Sequence, residues 1–301
     1  MELWLAATFS AALFQTWRTA LQQRLRGQLS VNGAGVVRFL YGVPFGVLFL
    51  TAYCLATGQT PPAPTTGFLA ACAAGGLAQI AGTNLLIMAF GYRNFAVGTA
   101  YSKTEAVQGA VLAWLLLGET ISPLSVGGIL VGLAGVLVLS LAGKGLNAAE
   151  LARATVQPAA LCGLGAGLGF AFSAVFIKAA NQALPQVDLV LNALTGLVVM
   201  NAMQTVMQGS YMLLREPAQA RLVFTTWRDS MWVGALSACG SASWFTAFAF
   251  APVALVRAVG QVEMVFTLLF SRFYLKETLR PGDVAGLVLV VCGVVVVLLG
   301  R

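Results

Sequence analysis

The chain has 301 residues, 59% of them apolar and only 9% charged, with a mean hydropathy of +0.86. A water-soluble domain of this size needs about 25% charged residues to cover its surface, so the composition excludes a soluble fold. The formal net charge of +7 is spread over short loops without a basic stripe, which fits membrane orientation and excludes a nucleic-acid footprint.

The first apolar run starts at Leu3 with no basic stretch before it, and no small-residue cleavage site precedes Arg18, so the first helix is expected to stay. Segments of roughly 20 residues, each long enough to cross the hydrocarbon, follow one another at about 3–21, 32–56, 67–91, 95–117, 123–142, 158–180, 188–213, 231–250, 254–275 and 281–299. Helices are expected throughout, because open strands and irregular backbone cannot face lipid. Pro61, Pro62 and Pro64 mark a surface loop at 57–66, and further polar stretches fall at 143–157 and 214–230. Tyr92-Arg93-Asn94 and Ala251-Pro252 form very short connections at the same place in each half.

Those matching turns point to an internal repeat. At an offset of 158, Glu105 falls on Glu263, Glu119 on Glu277, Pro123 on Pro281, Gly128 on Gly286 and Gly135 on Gly293. The chain therefore divides into a first five-helix repeat at 1–142, a connecting loop at 143–157 and a second five-helix repeat at 158–301. An odd number of crossings per repeat inserts the two copies with opposite orientation, the inverted architecture through which transporters expose one site to each side in turn. Gly128, Gly132 and Gly135, and again Gly286 and Gly293, read as seams where helices pack backbone to backbone.

Twelve of the 17 basic residues cluster on the odd-numbered connections: Arg18, Arg24, Arg26, Arg93, Lys144, Arg153, Arg215, Arg221, Arg228, Arg272, Lys276 and Arg280. By the positive-inside rule those connections are cytoplasmic and both termini lie outside. Cys54, Cys72, Cys162, Cys239 and Cys292 sit in apolar segments with no CxxC pair, and histidine is absent, so no metal or other cofactor is expected. Gly163, Gly165, Gly167 and Gly169 follow no strand and precede no lysine-serine pair, which leaves close helix packing and no nucleotide loop. No Walker motif is present to drive transport with ATP.

The end of each half has a recognisable form. The first copy reads Glu105-Ala106-Val107, then Ala113-Trp114-Leu115-Leu116-Leu117-Gly118-Glu119, then Ser122-Pro123; the second reads Glu263-Met264-Val265, then Tyr274-Leu275-Lys276-Glu277, then Arg280-Pro281. With Arg38-Phe39 in the second segment and Trp17 in the first, this resembles the EamA family of the drug/metabolite transporter superfamily over nearly the whole chain. The resemblance implies a ten-helix carrier of amino acids or other small metabolites in the plasma membrane, the inner membrane in bacteria. It suggests export and cytoplasmic termini, the latter opposed by this chain's own arginines. It also departs from the family pattern at Ala106 and Met264, where proline is usual, removing the ordinary cause of a kink there.

Glu105 and Glu263 fall near mid-membrane, where a carboxylate is costly unless paired, protonated or wet. They are the candidate proton carriers if transport is proton-coupled; the alternative is hydrogen bonding across the bundle. Lys103 and Glu105 are two apart and share no helix face, so Lys103 is expected to pair elsewhere or to snorkel. Arg257 and Gln261 are four apart and do share one, offering a fork for a substrate carboxylate; structural pairing of Arg257 is the competing role. Tyr101, Glu105 and Gln108 form a stripe on the fourth segment. Asn84, Trp244 and Trp17 complete the candidate substrate-binding set. A zwitterion would place its carboxylate toward Arg257 and its ammonium toward Glu105, with Trp17 and Trp244 stacking on its side group. The leading expectation is thus a secondary transporter of small organic solutes, amino acids first, with the bilayer and protons as its other partners. An intramembrane enzyme lacks a catalytic set; the remaining rivals are a non-transporting structural or receptor-like protein and a carrier of organic cations or other metabolites, the cation being the better reading if Arg257 pairs permanently with an acid. Monomer and homodimer are equally compatible with the sequence.

Overall fold

The computed structural model describes residues 2–25, 27–89, 101–141, 157–273 and 281–301. Among them every regular element is a helix: α1 Leu3–Leu25, α2 Val31–Leu40, α3 Gly42–Thr57, α4 Thr66–Ala89, α5 Glu105–Leu117, α6 Pro123–Leu141, α7 Pro158–Gln182, α8 Leu189–Arg215, α9 Pro217–Thr225, α10 Trp227–Phe250, α11 Val253–Gly260, α12 Glu263–Phe273 and α13 Pro281–Leu299. Most boundaries fall within a few residues of those expected. Two expectations change: the polar stretch 214–230 contains the short helix α9, and three segments expected to be continuous are interrupted, at Tyr41, at Lys103-Thr104 and at Gln261-Val262. Among the described residues, five stretches are long and apolar enough to cross a bilayer, Val31–Thr57, Thr66–Ala89, Pro158–Gln182, Leu189–Arg215 and Trp227–Phe250. The connection Tyr92-Arg93-Asn94, most of the 143–157 loop, and Lys144, Arg153, Lys276, Glu277 and Arg280 lie outside the described residues.

The chain forms two compact units, and each draws on both sequence repeats. One comprises Met1–Ile80 with Ser173–Ala251, the other Ala81–Phe172 with Pro252–Arg301. In the first unit, α1 packs along α10, and α8 packs on α2, α3 and α10. Small residues allow this: Tyr41, at the α2–α3 interruption, lies directly against Gly234 of α10, which leaves no room for a side chain there. Polar ends are tied down locally. Asp188 caps α8 by accepting from the N–H groups of Val190 and Leu191, both at 3.0 Å, and also accepts from Tyr53 Oη at 3.0 Å and Gln59 Nε2 at 3.1 Å. Glu216 accepts from Asn32 Nδ2 at 2.6 Å and from Ser30 Oγ.

The second unit is built on the pairing of α6 with α13, the last helix of each repeat. Each begins with a proline, which lacks the N–H that a first helical turn leaves unbonded, and their ends match at the repeat offset. The two glycine seams meet each other. A Cβ on Gly293 would lie 2.5 Å from Gly132 N, one on Gly135 2.6 Å from Val290 N, and one on Gly286 2.7 Å from Leu139 N. Since the obstructing atoms are backbone, only glycine permits this approach. The opposite face of α13 presents Val284, Val288, Val291, Val295 and Leu299, each about half exposed or more. An apolar outer face over a small-residue inner seam is what a helix bordering lipid requires. Met264 is buried with Val136, Leu139 and Val290.

Candidate functional site

The interruptions ahead of Glu105 and Glu263 have a local cause despite the missing prolines. Before Glu105, the Thr104 hydroxyl donates to the Tyr101 carbonyl at 2.6 Å and the Thr104 N–H donates to the same oxygen at 3.2 Å. That competition withdraws an acceptor from the α-helical ladder. Before Glu263, the N–H groups of Gln261 and Val262 donate three residues back, to Ala258 and Val259, and that tightened turn ends α11 at Gly260. Each half-helix then opens with a glutamate in its first turn. A negative charge is favoured there because the unbonded N–H groups make a helix N-terminus partly positive.

Each glutamate is paired with a cation from the other repeat. Lys103 Nζ donates to Glu263 Oε2 at 2.8 Å, their side chains 13% and 11% exposed. Arg257 Nη1 stands 3.5 Å from Glu105 Oε1, their side chains 8% and 14% exposed. The two contacts differ in kind. The lysine pair is a hydrogen-bonded ion pair; the arginine pair is longer, and among the described residues Glu105 accepts no hydrogen bond. Arg257 Nη2 instead donates to the Phe170 carbonyl of α7 at 3.1 Å. Four charges summing to zero meet the cost of placing ions in hydrocarbon. Gly167 of α7 seats the first interruption, since a Cβ there would lie 2.9 Å from Ser102 O.

A further carboxylate fixes the helix that carries Arg257. Gly118, at φ 67°, ends α5 in the left-handed region, and the Glu119 N–H returns to Ala113 O at 3.2 Å. That turn directs Glu119 Oε2 to the Val253 N–H, 2.8 Å away, at the start of α11. The Leu-Leu-Leu-Gly-Glu motif thus has a physical role: the glycine makes the turn and the acid caps the neighbouring helix. Its second-copy counterpart Glu277 lies outside the described residues.

The candidate residues from the sequence separate into two groups. Asn84, Tyr101, Glu105, Gln108, Arg257, Gln261 and Glu263 all belong to the second unit; Trp17 and Trp244 belong to the first. Tyr101 is buried against Ala160 and Leu164. Gln108 Nε2 bonds to Thr104 Oγ1 at 2.9 Å and approaches Leu164 O at 3.5 Å, while its Oε1 is buried with no hydrogen bond. Gln261 is 5% exposed, and neither end of its amide is hydrogen-bonded. Asn84 is half-buried on α4. The two tryptophans differ: Trp17 is 53% exposed, whereas Trp244 is buried, donates to Gln15 Oε1 at 3.0 Å and stacks on Phe248 with ring centroids 5.8 Å apart. The sequence left Arg257 between binding a substrate carboxylate and structural pairing; its guanidinium stands 3.5 Å from Glu105 and donates to the Phe170 carbonyl.

Sequence reasoning missed Thr104 and the Phe170 carbonyl, and read Gly132 only as part of a packing seam, not as the neighbour of the Gln261 amide. It also passed over Asn201, Gln204 and Gln208, a buried amide row on α8 in the first unit, where Gln204 Nε2 donates to Gln79 Oε1 at 2.8 Å. That row was readable, since three amides at offsets of three and four share one face of an otherwise apolar helix.

The sequence matches the model of the family described as EamA-like transporter family twice, over residues 2–141 and 157–299. No curated protein matches it in sequence. A solved structure described only as the crystal structure of a protein is similar over 99% of this chain and 97% of its own, with a TM-score of 0.73 at 19% identity. That likeness shows the fold alone.

Proposed function

The chain belongs to the EamA-like transporter family, and on that premise we propose that it is a secondary transporter exporting small zwitterionic metabolites, amino acids first, across a bacterial inner membrane. The family establishes a membrane transporter of the drug/metabolite type; the cargo, the direction, ten spans, inverted five-helix repeats at 1–142 and 158–301, and termini outside are our reading. The observation that supports the cargo is the loose Arg257–Glu105 pair at 3.5 Å. An anionic solute taking Arg257 would strand Glu105, and a cationic solute taking Glu105 would strip Arg257. A zwitterion replaces both contacts at once, carboxylate to Arg257 and ammonium to Glu105, and leaves the local charge at zero. That exchange matters because an uncompensated buried charge is far costlier than a paired one.

Transport proceeds by alternating access, with the half-helices that begin at Glu105 and Glu263 as the moving parts. Coupling to protons would use the same carboxylates, Glu105 first because it accepts no hydrogen bond among the described residues. One observation favours a second reading, organic-cation transport: the Phe170 carbonyl holds Arg257 when Glu105 turns to a ligand. Flux into proteoliposomes decides between them. Radiolabelled amino acids should be carried and should compete with one another. Uptake of organic cations without competition from amino acids would overturn the zwitterion reading.

A further inference from the structure

One register position of the two interrupted helices is filled differently in the two copies. Lys103 and Gln261 each stand two residues ahead of a membrane glutamate, in the turn that separates the half-helices. Lys103 reaches the glutamate of the other repeat, Glu263, at 2.8 Å. The same relation would carry Gln261 to Glu105. Instead the Gln261 side chain is packed against α6, where a Cβ on Gly132 would come within 2.5 Å of its Oε1. Both ends of the amide are buried with no hydrogen bond. A buried amide left in that condition is costly, and replacing it with an apolar group of the same shape can be neutral or stabilising. An amide that costs stability in this arrangement calls for a role in another.

Its partner can be identified. The Glu105 carboxylate accepts no hydrogen bond among the described residues and stands 3.5 Å from Arg257. Arg257 lies four residues before Gln261, on the same face. We propose that Gln261 is a positioning residue for the transport cycle: in the opposite conformation its Nε2 donates to Glu105, as Lys103 donates to Glu263 here, and Arg257 is released to the carboxylate of the cargo. Gly132 provides the place where the amide rests meanwhile. The inference rests on the transporter reading above and deepens it, since it confines strong carboxylate binding at Arg257 to one of the two conformations.

The test uses the full chain purified in detergent and reconstituted into liposomes. Gln261→Met keeps the length of the side chain and removes its polar atoms. It should melt at or above the wild-type temperature while the maximal rate for a radiolabelled amino-acid mixture falls at least tenfold. Gly132→Ala pushes only on the far end of a flexible side chain. It should lower the melting temperature and reduce KM several-fold, and the stability effect should vanish in a Gly132→Ala, Gln261→Ala double variant, whose shortened side chain does not reach the added methyl. A wild-type rate in Gln261→Met, a rate loss matched by a fall in melting temperature, or Gly132→Ala effects that persist without Gln261 would each overturn the proposal. Should the wild type itself carry no labelled amino acid, the cargo reading fails. The role of Gln261 is then decided by the melting data: it stands only if Gln261→Met is at least as stable as wild type and Gln261→Ala cancels the Gly132→Ala effect.

Discussion

Neutralising the two membrane glutamates one at a time should separate holding the fold from binding the cargo. At an effective dielectric of 20, Coulomb attraction is about 6 kcal/mol at the 2.8 Å of Lys103–Glu263 and about 5 kcal/mol at the 3.5 Å of Arg257–Glu105. Desolvation offsets much of both. The first pair also has a charge-assisted hydrogen bond, worth roughly 1.5–3 kcal/mol, which the second lacks. The coupling energy of Lys103 with Glu263 should therefore exceed that of Arg257 with Glu105 by about 2–4 kcal/mol. Two double-mutant cycles measure this in reversible unfolding from mixed micelles, one through Lys103→Met and Glu263→Gln, the other through Arg257→Met and Glu105→Gln. In proteoliposomes Glu105→Gln should lose at least tenfold in flux and less stability than Glu263→Gln, which should lose both flux and more of the fold's stability. Equal couplings, or a larger one for Arg257–Glu105, would refute the distinction between an anchoring pair and a binding pair.

Gly293→Ala should destabilise by about 1–3 kcal/mol through overpacking, because its Cβ meets Gly132 backbone, while Gly127→Ala on the facing helix α6, with nothing within 4 Å, should be neutral or gain slightly in helix propensity; melting temperatures of the two variants check this. Glu119→Gln should cost about 1 kcal/mol by weakening the cap on α11 and should raise KM through Arg257, which steady-state flux reads out. Burial works to raise the Asp188 carboxyl, but hydrogen bonds from the Leu191 N–H, Tyr53, Gln59 and the Val190 N–H outweigh it and hold the group below the usual aspartate range. A depressed carboxyl contributes stability above its unfolded value and loses it as pH falls through the folded one. The melting-temperature gap between wild type and Asp188→Asn should thus be full near neutrality and close in acid.

The parts of this molecule legible in the sequence are those that periodicity or repetition records. The glycines of α6 and α13 recur at a fixed offset because backbone contact tolerates nothing larger, so both the seams and the helix ends could be read directly. The interruptions could not, because the usual signal, proline after the glutamate, is replaced by Ala106 and Met264. The work falls instead to a threonine hydroxyl in one copy and a tightened turn at Gly260 in the other. The face shared by Arg257 and Gln261 was also legible from their spacing of four. Which helix lies opposite was not, because a face has a direction but no address until packing supplies the neighbour. That gap is why the sequence left Arg257 between a carboxylate receptor and a structural pair and could not name Glu105 as the acid beside it.

Substituting proline by Ala106 and Met264 while keeping the break carries a consequence for how such a carrier moves. A proline interruption is permanent, since the missing N–H and the ring clash persist in every conformation. An interruption made by Thr104 Oγ1 competing for one carbonyl, or by a tightened turn, is held by bonds that can be exchanged at small net cost. Small changes in the pairing of Glu105 and Glu263 can then be passed to the orientation of α5 and α12, because each acid is in the first turn of the half-helix it would move. Charge cost keeps that freedom in check: neither acid can leave its cation unless a ligand group, a proton or a donor such as Gln261 takes the vacated place. On the transport cycle we propose, the coupling of cargo to movement would follow from that constraint, since a half-helix would be free to reorient only while its glutamate had a replacement partner.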